Sequence, residues 1–276
     1  MTGMGWRWTW VCLAGIHLLC GVILAGWLIR NTPEEEGQVP DGKDAAGGVE
    51  SSRQLARSRV YSTAVDWSVR DALRSPALWI LLALFSLLLF VHNMLVTHQV
   101  AYLQDLRYSP MVSASALGLM LGMSILGRML SGVLGMRLDG RHLAAAFLGC
   151  MGLGVVSLMN AQEIFFVYLY SALTGIGFGG MIVLLPNVMG AYFGRTHFSR
   201  IVGWTTPVVT IASAVSPTLA GFLFDATGSY FLPFAISAAL LFGCCLLAFF
   251  ARPPALKINH LAANRGESTQ VGLKRD

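Results

Sequence analysis

Seven long apolar runs decide what this chain can become. They lie near residues 8–29, 77–103, 112–135, 142–160, 163–189, 201–224 and 230–251. Each is long enough to cross a hydrocarbon core about 30 Å thick, which takes about 20 helical residues. Charged residues make up only 12% of the 276, about half the roughly 25% of an average soluble domain. The fold class that follows is all-α, a polytopic transmembrane helical bundle with seven spans. The first run is too long for the roughly 7–15-residue core of a signal peptide, has only Arg7 ahead of it and no small-residue cleavage site behind it. It reads as a membrane helix.

The net charge of +5 does not indicate nucleic acid as a partner, because the basic residues are spread along the loops instead of forming one patch. All five cysteines fall in the apolar runs with no metal-like spacing, so they read as small core residues. No cofactor and no metal are indicated.

The loop charges orient the spans. Seven Lys and Arg residues, from Arg30 to Arg74, lie between the first and second runs. Arg137 and Arg141 follow the third, Arg195 and Arg200 the fifth, and Arg252, Lys257, Arg265, Lys274 and Arg275 the seventh. The alternate connections carry only Arg107. The positive-inside rule then places the N-terminus outside and the C-terminus in the cytoplasm of a multi-pass protein of the cell membrane. Residues 1–30 read as the first transmembrane helix, 31–75 as a cytoplasmic linker ending in a short amphipathic helix, 76–252 as a six-helix domain and 253–276 as a cytoplasmic tail. The stretch NTPEEEGQVPDGKDAAGGVESSRQ has too little apolar surface to fold alone. In DWSVRDALRSPALW, Trp67 is expected at the membrane interface, and Ser75-Pro76 as an N-cap followed by proline at the first helical position.

One charge breaks the apolar pattern. Arg128 lies seven residues before Gly135, where its span ends, a depth of about 10 Å in a half-core of about 15 Å. An arginine facing lipid at the centre of a span costs about 2.5–3.5 kcal/mol on insertion scales. Ser124, Ser131, Gly132 and Gly135 share its side of the helix, with Leu121 and Ile125 as apolar exceptions. The side chain is therefore expected to point into the bundle. The later spans hold no interior carboxylate; Asp105, Asp139, Glu163 and Asp225 sit at span ends. Three partners remain open: a salt bridge, carbonyl or hydroxyl groups (or snorkelling to the surface), and a bound anionic solute, to which a guanidinium offers bidentate geometry.

Other polar groups are ambiguous. The second span holds His92, Asn93, Thr97, His98, Gln99 and Tyr102 within about eleven residues, too many for lipid. His98 and Tyr102 share a face with Asp105, and His98 reads either as a satisfied structural histidine or as a substrate ligand. The stripe of Trp204, Thr205, Thr206, Thr210, Ser213 and Ser216 reads either as interhelical glue or as a cavity wall. The glycines of GIGFGG, Gly175 to Gly180, suit close helix packing or a bendable segment lining a pathway.

Four segments resemble one transporter family. GRMLSGVLGMRLDGRH, Gly127 to His142, is similar to the loop signature after the eighth helix of major facilitator superfamily transporters, with Gly132, Arg137, Asp139 and Arg141 at its gating positions. AYFGRTHFSRIVG from Ala191 and SPTLAGFLFDATGSY from Ser216 resemble the monocarboxylate and oxalate–formate exchanger branch, and GWRW at Gly5 resembles the entry to helix six. The resemblance implies helices six to twelve, that is, one six-helix half plus the preceding helix. It also implies that Arg128 stands where that branch binds a substrate carboxylate. The candidate substrate-binding set joins to it Asn93, His98, Tyr102, Ser124, Thr206 and Thr210 from the polar faces. The chain departs from the pattern at Met136, where the loop signature is acidic, and at Ser124, where monocarboxylate members carry Asp. It also has no lysine between Ile201 and Asp225.

The implied function is transport of a small organic anion, monocarboxylate-like, by alternating access, as a truncated or half transporter. The alternative is a non-transporting membrane interaction or regulatory module, or an inactive fragment. Expected partners are a small anionic solute, the lipid bilayer and a missing N-terminal half or second subunit. No HExxH, Ser-His-Asp arrangement or acidic pair at membrane depth suggests an enzyme.

Overall fold

The computed structural model describes residues 6–24, 26, 61, 63, 66–194 and 196–254. The linker residues 31–60, the end of the first expected span and the tail beyond Pro254 lie outside the described residues. The chain divides into two units, Met1–Arg57 and Ser58–Asp276. In the first, α1 (Trp6–Leu18) runs on into a π-helical segment, Leu19–Leu24, and Trp8–Ile23 forms an apolar helix shorter than a full span.

Among its described residues, the second unit holds six helices long and apolar enough to cross a membrane. They follow a short helix, α2 (Val69–Arg74), and are α3 (Pro76–Asp105), α4 (Pro110–Gly135), α5 (Gly140–Met159), α6 (Ile164–Phe193), α7 (Phe198–Thr227) and α8 (Phe231–Ala248). Among the described residues, all regular structure is helical. Local chemistry sets the boundaries. Ser68 caps α2 by accepting from the Asp71 N–H, Ser109 caps α4 at Val112 and Asp139 caps α5 at Arg141. Proline stands at the start of α3 and α4, where its missing N–H costs no helical bond. Ser75 precedes Pro76 as expected, but its hydroxyl makes no cap bond.

α6 is packed along both α4 and α5, α5 along α8, and α3 along α7. The glycine run explains the first two contacts. A Cβ on Gly175 or Gly179 would overlap the backbone of Met120 or Ser124 in α4, and one on Gly177 would overlap that of Phe147 in α5. Without side chains, the helix backbones approach closely and gain dispersion contacts along their whole length. α6 is unbroken from Ile164 to Phe193, and GIGFGG serves its packing.

Trp67 is buried, 5% exposed, with its ring edge-on to Phe193 at 5.6 Å between centroids, so its apolar body is covered by the end of α6.

Candidate functional site

Consecutive spans alternate direction, so the chain has a linker end, where α3 begins and α4, α6 and α8 finish, and an opposite end. α4 buries Ser113, Ala116, Met120, Ser124, Gly127 and Ser131. This stripe fits α6 because Gly127, like the α6 glycines, leaves no room for a Cβ between the two backbones. Arg128 lies roughly 80° around the helix from the stripe's centre, at 100° per residue, and is exposed. Where the sequence leads one to expect a side chain pointing into the bundle, the arginine stands on the surface of the six-helix unit. Its own side of α4 carries Ala114, Gly118 and Gly132 beside Leu121 and Ile125, whereas Leu119, Leu126 and Leu130 form a purely apolar exposed face. Among the described residues no hydrogen bond or ion pair reaches Arg128.

α7 is divided in the same way. Trp204, Val208, Ile211, Val215 and Phe222 make one exposed apolar face. Thr206 and Thr210 lie on another, with Gly203, Ser213 and Pro217, and are exposed. Thr206 returns its hydroxyl to the Val202 carbonyl at 2.8 Å. Arg128 and Thr206 are seven and eight residues from the linker end of their helices, a depth of about 11 Å at 1.5 Å per residue. Asn93 is half-buried on α3, one turn from the exposed Thr97.

The remaining expected ligands also make hydrogen bonds within the unit. Ser124 is buried and donates to the Leu121 carbonyl at 2.6 Å. His98 is a clip between helices: Nε2 lies 2.9 Å from the Pro217 carbonyl oxygen and Nδ1 3.4 Å from the Tyr230 hydroxyl. A carbonyl only accepts, so Nε2 carries the proton and Nδ1 takes the tyrosine's. Tyr102 donates to the Leu158 carbonyl at 3.2 Å and packs edge-on against Tyr230 and Phe234. The structure thus brings His98 and Tyr102 together with Tyr230 at the end opposite the linker. Of the loop-signature residues, Asp139 and Arg141 form an ion pair at 2.6 Å, and that bond holds the Asp139 carboxyl below its usual range. Arg137 is exposed and Gly132 lines a cavity.

That cavity, of about 920 Å³, lies at the linker end between α4, α6 and the α6–α7 turn. Ser131 lines it with a buried hydroxyl that has no hydrogen-bond partner, and Asn187 and Ser199 line it as well. Asp66, Thr196 and Gly194 form part of its wall, and no local sequence pattern singles out Asp66 or Thr196 for it. The signal was present in Gly194, placed just after an aromatic pair as a helix-ending glycine. A second unforeseen group is buried in the core: Tyr170 donates to Gln99 Oε1 at 2.5 Å and approaches Met120 Sδ at 3.6 Å.

Six helices long and apolar enough to cross a membrane, among the described residues, make this an integral multi-pass membrane protein. The model of the Major Facilitator Superfamily matches residues 1–159 and 101–272; the chain belongs to that superfamily, and its general function is membrane transport. No curated protein matches it.

Proposed function

We propose that this chain carries a small organic anion of the monocarboxylate type by alternating access, with Arg128 as the counter-charge. One observation carries the reading: Arg128 is exposed on the six-helix unit, yet sits about 10 Å inside a span with no partner among the described residues. A bare guanidinium at that depth is costly in lipid, so its surroundings are water, solute or another protein surface. A second six-helix unit, from elsewhere in a longer chain or from another subunit, would face Arg128, Thr206, Thr210 and Asn93 and close a central cavity around them. His98, Tyr102 and Ser124, whose polar atoms are already bonded, support the walls of that cavity. The linker end faces the cytoplasm, as the loop charges direct, and the Asp139–Arg141 pair stiffens the gating loop there. The resemblance of Ala191–Gly203 and Ser216–Tyr230 to the monocarboxylate and oxalate–formate branch supports the solute class.

The test is counterflow of labelled monocarboxylate into vesicles preloaded with the unlabelled solute. The carrier reading expects saturable exchange that a neutral sugar does not inhibit. Inserted, folded protein with no exchange would reject it in favour of a non-transporting interaction module.

A further inference from the structure

Two residues ahead of the Ser68 cap hold the end of α6. The Trp67 N–H donates to the Phe193 carbonyl at 3.0 Å, and the Thr63 N–H to the Ala191 carbonyl at 2.8 Å. These are among the last carbonyls of α6, which no N–H of their own helix can reach. The Asp66 carboxylate accepts from the Thr196 hydroxyl at 2.6 Å and from the Thr196 N–H at 3.3 Å. Between them lies Gly194, at φ +83°, where a Cβ would overlap the Asp66 carboxylate. Glycine is required there both for its backbone angle and for the space.

The clip is joined rigidly to α3. Ser68 starts α2, and the Trp79 indole N–H of α3 donates to the Leu73 carbonyl of α2 at 2.8 Å. At its other end α3 is held to α7 by His98.

We propose that Asp66 is a positioning residue: with Trp67 it fastens the end of α6 and the α6–α7 turn to the start of α3, so that these parts move as one body. Asp66 also walls the cavity beside Asn187, so releasing the clip opens that cavity. The effect on solute movement rests on the carrier reading; the clip itself does not.

Hydrogen–deuterium exchange on the full chain in lipid nanodiscs tests the clip without any solute. Asp66→Ala removes both bonds to Thr196, and Thr196→Val removes only the hydroxyl at nearly constant shape. A charge-assisted bond is worth enough for exchange at residues 66–68 and 194–197 to rise by about tenfold in Asp66→Ala, with a smaller rise in Thr196→Val and no change in α8. Unchanged exchange in both variants would overturn the proposal. Maleimide labelling of Asn187→Cys, at a temperature where every variant is folded, is expected to be several-fold faster in the Asp66→Ala background, and equal rates would also overturn it. In uptake, Asp66→Ala should change the maximal rate per folded molecule at least about fivefold while KM stays within about twofold, the signature of a residue that moves helices without touching solute. A raised KM with an unchanged maximal rate would contradict the positioning role.

Discussion

Gly179 lies with its Cα against the backbone carbonyl of Ser124, leaving no space for even a methyl group. Gly175 repeats the contact one turn earlier on Met120. Gly179→Ala is therefore expected to push α4 and α6 apart and to cost about 1–3 kcal/mol, the usual range for overpacking. Gly122→Ala, where nothing lies within 4 Å, should be neutral or gain up to ~1 kcal/mol from helix propensity. Thermal unfolding of the two variants side by side checks the contrast.

Tyr170 is fully buried and spends its hydroxyl on Gln99. Gln99 is buried too, and its Nε2 has no partner. Tyr170→Phe would leave the Gln99 oxygen unpaired as well, at a cost of about 1–3 kcal/mol. A denaturation midpoint matching that of the unchanged chain would show that the bond contributes nothing.

These two contacts show what could be read from the residues and what could not. The six long helices agree with their apolar runs because span length is dictated by bilayer thickness, whereas the cap expected of Ser75 makes no side-chain bond. Arg128 shows the limit. Periodicity placed it beside Ser124 and Ser131, but those two lie on the stripe that meets α6 while the arginine falls just outside it. Which flank a neighbour covers depends on where glycine lets that neighbour approach. Asp66 and Thr196 are 130 residues apart, and no local pattern links them.

His98 separates a clip from a ligand. If its work is to join α3 to Pro217 and Tyr230, His98→Ala lowers stability by about 1–3 kcal/mol and leaves KM for the solute within about twofold per folded molecule. A KM raised tenfold at unchanged thermal stability would instead make His98 a solute ligand.

The Asp139 cap gives a pH signature. Arg141 holds its carboxyl below the ordinary value, so the cap's contribution is complete above the unfolded-state pKa near 3.9 and is lost as pH falls through the lower folded value. The difference in melting temperature between the unchanged chain and Asp139→Ala should be positive at pH 7 and should shrink towards pH 3. A constant difference would mean that the carboxylate's charge is immaterial to the cap.

Uptake by Arg128→Gln tests the counter-charge most directly. Glutamine keeps a hydrogen-bonding side chain of moderate length and removes only the fixed positive charge, so insertion and melting temperature should stay as they are. Labelled monocarboxylate uptake should fall at least about a hundredfold, since a desolvated charge-assisted contact is worth several kcal/mol. Uptake at the unsubstituted rate, from equally inserted protein, would contradict the role of Arg128.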